Sequence, residues 1–418
     1  MEQYLTYKHS GIKWIGEIPE HWNIHKIRYI FQERSQKGYQ NEPILSATQK
    51  YGVIPQDLYE NRVVVVNKGL EGLKLVEVGD FVISLRSFQG GIEYAYYRGI
   101  ISAAYTILEP SATLNSNYIK YVFKSHIFIE LLKTCVTGIR EGQNINFELL
   151  RNQYLFLPPT TEQSSIVHFL NKQTSKIDEY IKQRQQEIIA LNELKQAEIA
   201  EVVTKGINPD APMKDSGIPW VGQIPEHWDS RFLFQVSKEH YISNKNVLHQ
   251  NLLSLSYGKI VNKDINKTDG LLPANFDTYQ VVKDGNLILR LTDLQNDHKS
   301  LRVGFVTQEG IITSAYVCLE AFNNMIPKYL YYSLHSFDIK KVFYSMGGGL
   351  RQGLNYAELR KLNVIVPPKE EQQQIVEFIE SRVAIIEEQI SIIKSEIEQM
   401  QEYKQCLISD AVTGKIKV

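Results

Sequence analysis

The 418-residue sequence predicts an α+β fold: two repeated α/β globular domains separated by two long helices that form an antiparallel coiled coil, with pseudo-twofold character. Three observations predict it. A unit of ~200 residues occurs twice. The first ~150 residues of each unit alternate short β-branched runs with amphipathic stretches. The rest of each unit lacks Gly and Pro, and its apolar residues fall at steps of three, four and seven, the spacing of a helical seam.

The repeat is read directly from the residues. Ser10-Gly11-Ile12-Lys13-Trp14-Ile15-Gly16-Glu17-Ile18-Pro19-Glu20-His21-Trp22 returns as Ser216-Gly217-Ile218-Pro219-Trp220-Val221-Gly222-Gln223-Ile224-Pro225-Glu226-His227-Trp228. Further pairs follow in the same order. Gly79 to Arg86 parallels Asp284 to Arg290, and Gly99 to Tyr105 parallels Gly310 to Tyr316. Gly138-Ile139-Arg140 parallels Gly349-Leu350-Arg351. Leu157-Pro158-Pro159 with Glu162-Gln163 parallels Val366-Pro367-Pro368 with Glu371-Gln372. The halves close on Val203-Thr204-Lys205-Gly206 and Val412-Thr413-Gly414. Domain boundaries follow: globular segments at 1–159 and 208–368, long helices at 160–207 and 369–418 including a short tail.

Within the globular segments, Val63–Val66, Phe81–Leu85, Ile100–Leu108 and Ile311–Leu319 read as strands. Tyr118–Leu132 and Lys328–Phe343 read as amphipathic helices. Pro158-Pro159 and Pro367-Pro368 block any helix from running in, so the long helices start after them. The first seam is Ile166, Leu170, Ile177, Ile181, Ile188 and Leu191. The second is Ile375, Ile379, Ile386, Ile390, Ile393 and Ile397. A helix of ~45 residues spans ~65 Å, more than a small domain covers, so the two seams are expected to pack on each other. The other packing is each helix on its own domain.

Lys and Arg total 46 against 47 Asp and Glu, which excludes a polycation and a long acidic tail. The balance is a cancellation. Each globular segment (1–159 and 206–368) has 17 basic and 15 acidic residues, whereas 369–410 has 4 basic and 10 acidic. Three scattered cysteines form no C-x-x-C pair and no disulfide framework, pointing to a reducing cytoplasm. No signal pattern opens the chain, and no apolar run reaches the ~18 residues of a membrane span.

No phosphate loop, nucleophile elbow or zinc-protease motif is present, and ten histidines show no metal-ligand spacing. His21 and His227 sit in the I-P-E-H-W loop, where Pro fixes the backbone and Trp packs; bracing is their reading. The duplicated polar positions carry the chemistry. Arg86 and Arg290 follow apolar strands, and Arg can grip guanine or a phosphate with two hydrogen bonds. Arg140 and Arg351 lie in Gly-bounded loops beside Gln143 and Gln352, and Gln can read adenine bidentately. Structural pairing is the competing role for both arginines. Asn146 and Asn355 serve as helix caps or base readers, with Glu358 completing a capping box. Lys50, Tyr257 and Lys259 follow strand ends and are candidate base readers. Asp293 and Asp297 either accept from cytosine or stay solvated.

The order W-I-G-E-I-P-E-H-W, G-D-F-V-I-S, a Gly-Arg loop, L-P-P-T-T-E-Q and a long helix, then all of it again with V-P-P-K-E-E-Q, resembles the specificity subunit of a type I restriction-modification system. That resemblance covers essentially the whole chain. It implies a non-catalytic subunit in which two target-recognition domains read the halves of a bipartite, asymmetric double-stranded DNA target. The helices would act as a ruler, holding the half-sites about two DNA turns apart at most. It also implies two methyltransferase subunits and restriction subunits as partners. S-adenosylmethionine, ATP and Mg would be held by those partners, and none by this chain. The halves differ between Ser87–Gly91 and Leu291–Asp297, so the half-sites should differ. Two other readings are a protein-binding assembly scaffold without sequence-specific DNA recognition, and an enzyme with an irregular site.

Overall fold

The computed structural model describes residues 2–12, 14–59, 69–137, 144–245, 250–264, 276–294, 297, 300–346 and 353–418. The chain divides into two compact units. Unit 1 comprises Met1–Arg184 with Lys394–Val418, and unit 2 comprises Gln185–Ile393. Each unit thus takes one part of each long helix.

Unit 1 is built on a four-stranded antiparallel sheet in the order Phe31–Arg34, Thr106–Pro110, Phe81–Ile83, Glu93–Tyr94. Unit 2 repeats it as Ser237–Glu239, Val317–Ala321, Leu287–Leu289, Val303–Phe305. The strands Phe81–Ile83 and Leu287–Leu289 are apolar at every position because both of their faces are covered. Phe81 and Ile83 face a core shared with helices, while Val82 faces a second core with Leu45, Val53, Val76 and Ile107. Leu287 and Leu289 against Ile288 divide in the same way. The second core lies beneath a hairpin, Leu45–Thr48 with Gly52–Pro55 in unit 1 and Leu253–Ser256 with Lys259–Asn262 in unit 2.

Several expected elements are shorter than the sequence suggested. The run Ile100–Leu108 is two strands, Gly99–Ile101 and Thr106–Pro110, joined by a turn that moves the chain between two ladders. Ile311–Leu319 divides likewise into Gly310–Ile312 and Val317–Ala321. The helix expected over Tyr118–Leu132 is two, Ser116–Lys124 and His126–Thr134, because Ser125 is extended and returns its hydroxyl to the Val122 carbonyl. Its counterpart, Pro327–Ile339 and Val342–Met346, breaks at Lys341, whose φ is 60°. Val63–Val66 lies outside the described residues. Asn146 and Asn355 are helix caps, and Asn355 with Glu358 forms the capping box.

The long helices run Thr160–Lys205 and Lys369–Val412. In unit 1, Asp178 meets Lys404 and Arg184 meets Glu396. In unit 2, Lys195 meets Glu387 and Glu198 accepts both Nε and Nη2 of Arg382. In both units the numbering rises on one helix as it falls on the other, so the segments are antiparallel. The Arg382 hydrogen bond holds the Glu198 carboxyl below the usual carboxylate range. Ile166, Leu170 and Ile177 join the unit 1 core with Leu407, Ile408 and Val412. Ile375 and Ile379 join that of unit 2 with Ile199 and Val203. Ile386, Ile390, Ile393 and Ile397 are buried, whereas Ile181, Ile188 and Leu191 are half-buried. The seams therefore serve helix pairing and domain packing together.

The repeated motifs lock onto one another. Glu162 accepts the indole N–H of Trp22 and the hydroxyl of Tyr4, and lies 2.7 Å from His21 Nε2. Glu371 does the same for Trp228 and His227. Gln163 accepts the N–H of Asn115 and donates to the Pro158 carbonyl; Gln372 repeats this with Ile326 and Pro367. Tyr118 donates to the carbonyl of Val412, and Tyr329 to that of Val203. Each domain is thus clamped by the start of the helix that follows it and by the end of the other long helix.

Candidate nucleic-acid interface

In unit 1 the hairpin turn Gln49-Lys50-Tyr51 and the segment after the central strand meet. Thr48 Oγ1 accepts the Tyr51 N–H and donates to the Gly52 carbonyl, which fixes the turn. Gln49 packs directly on Gly90, the end of a short helix Ser87–Gly90. Arg86 is exposed at the start of that helix. The helix also touches the strand Asn144–Ile145, which pairs with Val136–Thr137. Arg140 and Gln143 lie outside the described residues.

A cleft of about 870 Å³ opens beside this junction, lined by five lysines and three acids. Lys124 pairs with the buried Glu93 at 2.7 Å, Lys404 with Asp178 and Lys133 with Glu130. Burial raises the Glu93 carboxyl above its ordinary range despite Lys124. Lys120 lies 5.5–5.8 Å from the ring centres of Tyr94, Tyr96 and Tyr121. Lys50 stands over Tyr51 at 4.8 Å. Cations held on aromatic faces beside an open cleft can neutralise phosphate.

Unit 2 brings together the equivalent segments with different chemistry. Its hairpin turns at Tyr257-Gly258, both at positive φ (47° and 77°), as a two-residue turn requires. Tyr257 is 77% exposed. Lys259 begins the return strand, 3.7 Å from Glu387. Gly258 abuts Leu301 and Val303. Arg290 follows the central strand directly; it is half-exposed, with Nη1 3.8 Å from an Asp297 oxygen. The segment after 347–352 is tied in by the Leu354 N–H, which donates to the Leu291 carbonyl. Arg351 and Gln352 lie outside the described residues.

Arg86 and Arg290 are not equivalent positions. Gly79 and Gly285 make the same hydrogen bonds, to the carbonyls of Ala95 and Val306. Asp80 and Asn286 likewise each take a backbone N–H three residues back. From that anchor Arg290 corresponds to Ser84, and Arg86 sits on a helical turn that unit 2 replaces with another loop. The sequence match between the two arginines skipped this length difference. Sequence reasoning also missed Lys120 and Arg302. The clue to Arg302 was available: an arginine between Leu301 and Val303 at the head of an apolar strand.

Among the described residues, no group of three or more His, Cys, Asp or Glu could hold a metal ion, and no helix is long and apolar enough to cross a membrane.

Residues 302–399 match the family model described as the type I restriction modification DNA specificity domain. Over essentially full length the chain is similar to two proteins of Methanocaldococcus jannaschii. One, provisionally assigned as the type I restriction enzyme MjaX specificity subunit, is 23% identical over 437 residues, covering 99% of this chain and 98% of its own. The other, the type I restriction enzyme MjaVIII specificity subunit, is 24% identical over 442 residues, covering 99% and 97%. In fold, the chain resembles one solved in a study of complex assembly and conformational transition of the type I R-M system, with a TM-score of 0.68, 13% identity, and 96% and 99% of the two chains covered. With its duplicated frame and its Pro-Pro-x-x-Glu-Gln junctions, the chain is similar over essentially its whole length to specificity subunits of type I restriction-modification systems.

Proposed function

We propose that this chain is the DNA-reading subunit of its complex, that its two globular domains (1–159 and 208–368) each read one half of a bipartite, asymmetric double-stranded target, and that it performs no chemistry itself. The observation that carries this is the pairing of one frame with two different loops. The same strands end in a helical turn led by Arg86 in unit 1 and in an arginine-pinned loop led by Arg290 in unit 2. A scaffold that only bound protein would have no need for the two loops to diverge while the frame around them repeats.

The long helices (160–207 and 369–418) would carry the partners. Phe378, Ile385 and Ile392 recur every seven residues on the second helix and are 41–53% exposed. A heptad stripe facing solvent suits a further helix packing beside it. We assign this face to a methyltransferase subunit, two of which would bind per chain, with restriction subunits joining them. S-adenosylmethionine, ATP and Mg would then belong to those subunits, and the three free cysteines suit a reducing cytoplasm.

The test is selection from a randomised DNA pool by the chain assembled with its methyltransferase subunits. Two short sequence blocks separated by an unread spacer are expected; uniform recovery favours the scaffold reading. Methyl transfer by this chain alone would favour an enzyme. Arg86→Ala should relax selection in one block and Arg290→Ala in the other, each good bidentate contact being worth about 1–3 kcal/mol. Equal weakening on all sequences would assign both arginines to phosphates.

A further inference from the structure

We propose that Arg302 is the positioning residue of the second domain's recognition loop, holding Arg290, Thr292 and Asp293 in the conformation that reads DNA. The inference rests on the DNA-reading function proposed above.

Arg302 is wholly buried, which a guanidinium rarely is without a carboxylate fork. It has five N–H donors, and all five find acceptors. Nε donates to Tyr344 Oη at 2.9 Å. Nη1 donates to the carbonyls of Arg290 and Thr292 at 3.2 and 2.7 Å. Nη2 donates to those of Asp293 and Asp297 at 3.2 and 2.5 Å. Tyr344 in turn donates to the Asp297 carbonyl, closing the network. Behind it, the buried Asp338 carboxyl accepts Arg302's own backbone N–H.

Four of the five acceptors are therefore main-chain carbonyls of one short stretch. Gathering them on a single cation turns the carbonyls inward. Leu291 and Leu294 anchor the stretch in the core, and the Thr292 and Asp293 side chains are left exposed. Asp293 takes a φ of 58°, a conformation the loop would leave without this hold. The backbone of Arg290 is fixed too, its N–H donating to the Arg302 carbonyl.

Among the described residues, unit 1 has no such device. Phe305 pairs with Leu287 as Tyr94 pairs with Phe81, so Arg302, three residues before Phe305, corresponds to Gly91. There the loop is the helical turn Ser87–Gly90, in which the Ser87 carbonyl accepts the Gly91 N–H. A fold that needed only a closed loop could have used the same turn twice. The second domain instead holds an irregular loop with a buried cation.

The experiment uses Arg302→Lys in the full chain assembled with its methyltransferase subunits. Lysine keeps the charge but offers at most three donors, without the planar fork. Two readouts are taken: amide hydrogen exchange across 287–294, and competition between the selected DNA and versions altered in either half-site. Exchange is expected to quicken at Arg290–Leu294 while Leu287–Leu289 stays protected. Discrimination is expected to fall at least tenfold at the half-site that Arg290→Ala affects and to stay unchanged at the other. Unchanged exchange and discrimination would overturn the proposal, as would equal loss at both half-sites. If Arg302→Lys also exposes Leu287–Leu289, Tyr344→Phe, which removes one acceptor and leaves four, should give a smaller loss at the same half-site; no loss there would overturn it. A wild-type complex indifferent to both half-sites, with the loop still loosened by Arg302→Lys, would instead sink the DNA-reading function and leave the loop-holding role standing.

Discussion

Glu162 accepts the indole N–H of Trp22 at 3.0 Å, joining the first residues of a long helix to the loop that opens the first domain. Glu371 and Trp228 make the same bond at 2.8 Å in unit 2. The two most recognisable motifs of the sequence are thus halves of one joint. The Glu162 side chain is 16% exposed and that of Glu371 34%. Glu162→Gln should destabilise unit 1 by about 1.5–3 kcal/mol, the range for hydrogen bonds to a charged group, and Glu371→Gln should cost unit 2 less. Urea unfolding followed by tryptophan fluorescence measures both.

Gly206 and Gly414 end the long helices in the left-handed region, at φ of 76° and 73°. A Cβ on Gly414 would lie 2.5 Å from Pro19 Cδ, whereas one on Gly206 would first meet the Trp228 ring at 3.1 Å. Gly206→Ala should cost about 1 kcal/mol from backbone strain, and Gly414→Ala more, because the Pro19 ring must also move. Thermal unfolding of the two variants should rank them in that order.

His335 is buried against the first long helix, with Nε2 2.8 Å from Gln196 Oε1. Burial, reinforced by Lys195, pushes its pKa down to about 4. A folded-state value below the unfolded one means stability is full above the unfolded pKa of about 6.5 and is lost as pH falls toward 4. The loss should approach about 3 kcal/mol across that window. His335→Leu should remove this part of the slope, read as the difference between the variant's and the wild type's stability at pH 7 and pH 4.5.

Ile390 is 8% exposed on the paired face of its helix, and Ile392, two residues on, is 53% exposed. Ile390→Asp should destabilise the fold by more than about 3 kcal/mol, since it buries an unpaired charge in a helix seam. Ile392→Asp should leave unfolding within about 0.5 kcal/mol of wild type yet reduce recovery of methyltransferase subunits on co-purification. Equal recovery would show that the exposed stripe is not the docking face.

Much of the fold was legible because its signals are local and occur twice. The prolines before each long helix, the apolar steps along it and the repeated Trp and Gly positions all act within a few residues. Strands and helices were overextended where the chain breaks without Gly or Pro. Ser125 ends a helix by turning its own hydroxyl back on the Val122 carbonyl, and periodicity carries no trace of that. The candidate site was less legible. Lys50, Tyr257 and Arg290 stand at turns or strand ends, where loop logic put them. Lys120 became a candidate only because Tyr94 and Tyr96 of another segment come close to it beside its own neighbour Tyr121.

The sequence by itself determined the duplication, the two long helices and the bracing role of the Trp motifs, because each follows from residue type and spacing. Only the tertiary structure decided which helix ends clamp each domain, that Arg86 and Arg290 occupy different positions, and that Arg302 gathers four carbonyls of one loop. Those features depend on which atoms come within hydrogen-bond reach across 5 to almost 300 positions of chain, as between Arg302 and Asp297 or Tyr118 and Val412, and residue spacing carries no trace of them.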